Sequence, residues 1–325
     1  MGRVMEKILL FAPAGQYLTE ENVLDTARLD RIAAGIRARG FALTELPSVR
    51  SVETRFAGSD EVRLADAVAV LKDDSADLAL ALRGGFGSQC LLPKLPWAEL
   101  KSGRALLTGY SDVTVLLNAL WTHTGRTTLH GPVGGDFDPE RRIEGDPFGS
   151  LSRAVAAFGP QNADWHLDFT PDLCFEGGVR RDPREVTFRE EKVTFWGGNL
   201  TMLTTLAGTP HAPTNRLVGR LHAVFLEDVN EPAWRIERSL LHLSQAGMLE
   251  NCRAVLLGDF LGADRVTARQ GGYDFRTALS RFAKARPDLR IVTGLPIGHG
   301  ARRETLPVGA ELRLSSDGRA VTLSK

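Results

Sequence analysis

Short apolar runs alternate with amphipathic stretches through the first half of the chain. KILLFAP, FALTELP, DLALALRGG and RALLTGY read as strands, and residues from about Glu20 to Arg39 and from Ser59 to Leu71 carry apolar positions at helical spacing, the first stretch closed by Gly40. Strands and helices in alternation predict a doubly wound α/β domain with a parallel sheet. Ligands of such sheets gather at the carboxyl ends of the strands, and two glycine-containing strings, RGGFG and GYSD, fall there after the third and fourth predicted strands. Both are expected to line one crevice.

Periodicity fails between about Asp136 and Pro183, where Asp, Pro, Gly and Arg dominate and only Ser150 to Phe158 suggests a short helix. The second half opens on the β-branched and aromatic run REVTFREEKVTFW and closes on ELRLSSDGRAVTLS, two alternating strands about an Asp317-Gly318 turn. HAVFLEDV, a helix SLLHLSQAGML, AVLLGDF, a helix near Asp274 to Lys284 and RIVTGLPIGHG lie between them. The expected organisation is a first domain over 1–140, a linker over 141–183 and a mixed, β-containing second domain over 184–325.

Composition narrows the function classes. The 325 residues are 43% hydrophobic and 25% charged, with 40 basic and 40 acidic side chains cancelling to a formal charge of zero, so no global field draws the protein to nucleic acid or an anionic membrane. A small neutral or zwitterionic substrate fits better. The opening MGRVMEKILLFAPAG carries an apolar run too short for a signal-peptide core and reads as the first strand, and no run reaches the roughly 18 apolar residues of a membrane span. A cytoplasmic location is the expectation. Cys90, Cys174 and Cys252 are widely spaced, without a zinc or redox pair, and Leu91 and Leu92 beside Cys90 suggest a buried helix position for it. The acids Asp136, Asp138, Glu144 and Asp146 lack calcium-loop spacing and read as a solvated surface. No metal or cofactor is expected.

The chemistry centres on LTGYSDVTVLLNAL, where Ser111 stands at the change from a strand-like to a helix-like run. A sharp strand-to-helix turn exposes a serine hydroxyl beside unpaired backbone N–H groups. The same position suits a helix cap by Ser111 or Asp112. The string departs from G-x-S-x-G, because Val113 stands where the second glycine belongs, which disfavours an ordinary lipase or esterase. A nucleophilic serine needs a histidine to take its proton and a carboxylate to orient that histidine. Of the seven histidines, His299 in GLPIGHG and His130 in LHGP lie at strand ends, with His299 favoured; His123, His222 and His242 occupy helix or strand positions typical of half-buried imidazoles. Glu227 and Asp228 end a predicted strand, where neighbouring side chains point to opposite faces, so only one of them can face a site.

These strings together resemble the LD-carboxypeptidases, the serine peptidase family that includes the microcin-C-immunity-type peptidases. The resemblance runs through APAG, RGGFG, GYSDVTVLLNAL, HGPV, GGNLTMLTTLAGTP, FLEDVNEPAWRIERSLLHLSQAGML and GLPIGHG. It implies a flavodoxin-like N-terminal domain, with the active site between it and the C-terminal domain. It further implies a Ser–Glu–His triad of Ser111, Glu227 and His299, and an oxyanion hole from the backbone N–H groups of Gly85 and Asp112. Arg83 and the Asp112 side chain are expected to organise the loop. The implied reaction releases the terminal D-alanine of a murein tetrapeptide during cytoplasmic peptidoglycan recycling, in a homodimer. Trp234 stands where Tyr is expected, and Glu237 and Arg238 on the same segment read as solvated.

Two other readings compete. A microcin-immunity-type peptidase would cleave a peptidyl-nucleotide and would use an exposed aromatic for base stacking, with Trp165 and Trp196 as candidates. A non-catalytic nucleotide-binding module would use RGGFGSQC as a phosphate cradle, but Cys90 replaces the third glycine of a dinucleotide fingerprint and no Walker lysine follows.

Overall fold

The computed structural model describes residues 7–264 and 273–325. The chain divides into two compact units, residues 1–163 with 304–308 and residues 164–303 with 309–325.

The first unit is built on a six-stranded sheet. Its strands are β1 (Lys7–Phe11), β2 (Ala42–Glu45), β3 (Leu78–Ala81), β4 (Leu106–Gly109) and β5 (Thr128–His130), joined at one edge by β13 (Leu306–Val308). The order is β13-β5-β4-β3-β1-β2, in which β1 to β5 run parallel and β13 pairs antiparallel to β5, Leu306 opposite His130. The order 2-1-3-4-5 is the flavodoxin-like one, with its switch point between β1 and β3. Helices α1 (Thr26–Arg37), α2 (Asp60–Lys72) and α4 (Thr114–Thr124) join parallel strands, and α3 (Ser88–Leu91) is a short turn after β3. β3 and β4 are buried at every position, which is why LALA and LLTG read as unbroken apolar runs. The core gathers Ile8, Leu10, Leu78, Leu80, Ile32 and Phe137.

The second unit holds a nine-stranded mixed sheet. Strands β9 (Thr187–Asn199), β10 (His222–Val229), β11 (Cys252–Leu261) and β12 (Arg290–Thr293) run parallel at its centre. Antiparallel strands flank them: β14 (Ala310–Asp317), β15 (Val321–Ser324) and β6 (His166–Phe169) on one side, β7 (Cys174–Glu176) and β8 (Val179–Arg181) on the other. HAVFLEDV is buried along nearly its whole length, whereas β14 alternates buried and exposed, as an antiparallel strand with one face in solvent should. The β14–β15 hairpin turns at Asp317 and Gly318, where the glycine takes φ +84° and the Asp317 carboxylate accepts from the N–H groups of Arg319 and Ala320. Helices α6 (Leu200–Thr204), α7 (Thr214–Leu217), α8 (Ala233–Gln245) and α9 (Phe275–Ala285) complete the unit.

The stretch 141–183 is not the connector that its composition suggests. It carries helix α5 (Pro147–Phe158), which belongs to the first unit, and strands β6, β7 and β8 of the second sheet. Ser150 on α5 accepts from the N–H of Thr305 (2.8 Å) and donates to Glu304, tying the returning segment before β13 to the first unit. The strands escape sequence reading because strands at a sheet's margin are held by backbone pairing and need no apolar pattern: all three residues of β8 are exposed.

Candidate active site

Ser111 follows β4 and opens the single 3-10 turn, Ser111–Val113, that leads into α4. Its φ is +62°, a left-handed conformation that costs a non-glycine residue about 1–3 kcal/mol and persists only where the surroundings enforce it. The enforcing contacts are visible. A Cβ on Gly109 would lie 2.8 Å from Val113 Cγ1, and a Cβ on Gly84 would lie 2.9 Å from Ser111 Cβ and 3.0 Å from its Oγ. The strand-end glycine therefore makes room for the Val113 side chain. Neither Ser111 nor Asp112 caps the helix that follows it: Tyr110 and Val113 hold those cap positions without side-chain bonds, and the Asp112 carboxylate instead accepts from the N–H of Ser88, the first residue of α3, at 2.9 Å.

That bond joins GYSD to RGGFG, so the two loops lie together as expected. Asp112 is buried, and burial pushes its carboxyl above the ordinary range against the pull of the Ser88 N–H and Arg63. Arg63 on α2 is a residue that sequence reading missed. Its side chain is 1% exposed; its Nη1 donates to the carbonyls of Pro13 (2.7 Å) and Gly87 (3.0 Å), and its Nη2 pairs with Asp60. It thus clamps the loops after β1 and β3, the two that flank the switch point. The missed signal was an arginine at a core-facing position of an amphipathic helix. Gly85 and Gly87 take φ +119° and +133°, and a Cβ on Gly87 would come within 2.7 Å of Arg63 Nη1. Cys90 corrects an expectation: it is exposed, because the short helix turns Leu91 and Leu92 inward and Cys90 outward. His130 is buried in the first unit against the ring of Tyr110, the centroids 6.2 Å apart.

The second unit pairs an acid with a base. Glu227 near the end of β10 is completely buried, and its Oε2 lies 2.7 Å from Nδ1 of His299, whose side chain is 20% exposed. A carboxylate only accepts, so Nδ1 is the donor of this bond. The other Glu227 oxygen, Oε1, is buried without a hydrogen-bond partner among the described residues, which concentrates the carboxylate's interaction on the imidazole. Asp228, on the opposite face of β10, accepts from Asn199 Nδ2, Thr201 N, Thr201 Oγ1 and its neighbour Val229 N, at 2.8–3.0 Å. Strand alternation thus gives Glu227 to His299 and Asp228 to structure.

The GHG string has a steric reason. Gly298 takes φ +118°, and a Cβ there would lie 3.2 Å from both Glu227 Cβ and Asp259 Cβ; a Cβ on Gly300 would lie 1.8 Å from Asp259 Oδ2. Only glycines let the backbone cross these acids and present His299 between them. Arg303 holds the same loop, its Nε donating to the carbonyl of Gly300 at 3.0 Å and its Nη2 to that of His299 at 3.3 Å. Asp259 and Arg303 were not singled out from sequence. Burial raises the Asp259 carboxyl, while Arg302 lowers it.

The remaining candidates have structural roles. His222 and Trp196 are fully buried and bonded to each other, and Trp165 is 6% exposed, so neither tryptophan offers a face for base stacking. Glu237, expected in solvent, is buried and paired with Arg281 of α9 at 3.0 Å. Arg235 and Arg238 both lie over the ring of Trp234.

Comparison with known proteins places these motifs in context. Residues 8–131 match the family described as LD-carboxypeptidase N-terminal domain and residues 193–314 match the LD-carboxypeptidase C-terminal domain. The murein tetrapeptide carboxypeptidase of Pseudomonas aeruginosa is 32% identical over 274 residues, 80% of each chain. Among solved structures, the muramoyltetrapeptide carboxypeptidase of Oxalobacter formigenes superposes with a TM-score of 0.78 at 28% identity, covering 97% of this chain and 98% of that one. The microcin C7 self-immunity protein MccF in complex with aspartyl sulfamoyl adenosine has the same fold, with a TM-score of 0.76 at 18% identity over 99% of this chain and 97% of that one.

Proposed function

The chain belongs to the LD-carboxypeptidase family, and on that premise we propose that it is a serine LD-carboxypeptidase that removes the terminal D-alanine of a murein tetrapeptide, with Ser111, His299 and Glu227 as its triad. The observation that carries this reading is the Ser111 elbow, a left-handed serine held against Gly84 at a strand-to-helix turn.

The chemistry follows from the residues. Ser111 Oγ attacks the carbonyl carbon of the bond before D-alanine while His299 Nε2 takes its proton. The oxyanion is received by the backbone N–H groups of Asp112, in the first turn after β4 where amides lack helical partners, and of Gly85, whose missing side chain admits close approach. Glu227, with one oxygen on Nδ1, holds the tautomer and stabilises the imidazolium. His299 returns the proton to the departing amine, D-alanine leaves, and water repeats the sequence on the acyl-enzyme to release the tripeptide. A zwitterionic peptide suits a chain of zero formal charge, and peptide recycling inside the cell is the setting in which such a substrate arises.

The test is release of free D-alanine from purified murein tetrapeptide. Wild type releases it, Ser111→Ala does not, and Glu227→Gln loses roughly 10³- to 10⁴-fold in kcat, as expected when the orienting carboxylate is lost. Release that survives Ser111→Ala overturns the assignment. The peptidyl-nucleotide alternative has lost its two candidate stacking aromatics to the core.

A further inference from the structure

A carboxypeptidase must recognise a charge that its triad does not touch. The substrate's terminal carboxylate lies less than about 4 Å along the chain from the carbonyl carbon that Ser111 attacks. Unless a cation meets it there, desolvating that carboxylate opposes binding.

We propose that Arg83, the first residue of RGGFG, is the carboxylate-binding residue of the site and the reason the enzyme requires a free C-terminus; the proposal rests on the reading of Ser111 as nucleophile. Arg83 precedes Gly84, whose Cα hydrogen faces the Ser111 side chain, and stands two residues before Gly85. Its backbone is thus fixed next to the nucleophile. Its guanidinium is half-buried, lies over the Tyr17 ring at 4.6 Å and donates through Nη1 to the carbonyl of Gln16 at 2.8 Å. Tyr17 is itself locked in place, since its hydroxyl fills the space a side chain on Gly135 would need. Arg83 is therefore preorganised.

What marks it for a ligand is the anion it lacks. Of the guanidiniums around Tyr17, Arg28 faces Asp138 at 3.3 Å and Arg141 pairs with Asp136 at 2.7 Å, whereas Arg83 has no carboxylate partner among the described residues. Tyr17, Tyr110, Arg28 and Arg55 act on it most strongly, two phenols and two further cations. A structural arginine is satisfied differently: Arg126 spends its donors on the carbonyls of Leu71, Leu100 and Ala105. Arg83 commits one donor of five and leaves the rest of its planar fork for a carboxylate. Burial, with Arg28 and Arg55, lowers its pKa.

The experiment compares the tetrapeptide bearing a free C-terminus with the same peptide as its C-terminal amide, following release of D-alanine or D-alaninamide by mass spectrometry. Wild type is expected to prefer the acid by roughly 100-fold in kcat/KM, the scale of removing a charge-assisted hydrogen-bonded pair from a partly desolvated site. Arg83→Met, checked for folding by circular dichroism, lowers the value for the acid until it approaches that for the amide, chiefly through KM, and Arg83→Lys falls between. A folded Arg83→Met that keeps the wild-type ratio overturns the proposal. So does a wild-type ratio near one, which needs no variant and leaves the peptidase reading intact. If wild type cleaves neither peptide, the peptidase reading itself fails and the carboxylate site with it.

Discussion

His222 makes the acid stability of the second unit calculable. The imidazole is completely buried at the start of β10; its Nδ1 accepts from Trp196 Nε1 at 3.0 Å, and its Nε2 lies 2.7 Å from the carbonyl of Glu250. An indole N–H only donates and a carbonyl only accepts, so the ring is neutral with its proton on Nε2. Protonating Nδ1 would set two N–H groups against each other without water, and burial pulls the pKa from 6.5 to about 4. Between those values the unfolded chain binds a proton that the folded one refuses, so stability falls as the pH falls through this window. At about 1.36 kcal/mol per unit, about 2 kcal/mol is lost by pH 5 and about 3 kcal/mol once the pH passes below 4. Asp228 acts with the opposite sign. Burial and the neighbouring Glu227 raise it to about 6, so its contribution is present at low pH and lost as the pH rises from about 4 to about 6. The wild-type profile therefore mixes both groups. His222→Gln separates them, because the amide oxygen still accepts from Trp196 and the amide nitrogen still donates to Glu250, with nothing to titrate. Urea unfolding followed by tryptophan fluorescence at pH 7.5 and 5.0 should show wild type losing about 2 kcal/mol more than the variant, a midpoint shift of about 1 M for an m-value near 2 kcal/mol/M. A difference below about 0.5 kcal/mol would refute the neutral, buried imidazole.

Two further outcomes follow from backbone geometry. Ser111→Gly removes the nucleophile and also the penalty of a left-handed serine, so thermal melting should show a protein stabilised by about 1 kcal/mol while peptide hydrolysis is lost; an unchanged or lower melting point would contradict the strain at the elbow. Gly300→Ala places a Cβ where Asp259 Oδ2 now sits and should move the His299 loop, cutting kcat by about 100-fold in a protein that still folds; kcat within a few-fold of wild type would show that the loop yields without cost.

The doubly wound domain, the mixed domain and the chain positions of the candidate serine, acid and base were legible in the sequence because each is a local signal. Continuous apolar runs mark β3, β4 and β10, whose two faces are both covered, and glycines at 84, 109, 298 and 300 mark places where backbone must pass too close for a side chain. Strand alternation even announced that Glu227 and Asp228 would part company, though not which of them would meet His299. That choice, and the roles of Arg63, Arg83, Asp259 and Arg303, depend on contacts between residues far apart in the chain, which no local pattern encodes. The edge strands β6 and β8 were invisible for a related reason: backbone hydrogen bonds to a neighbouring strand hold them, and such bonds are blind to side-chain hydrophobicity. Burial likewise belongs to the folded state alone, and it is burial that turned His222 and Trp196 into core.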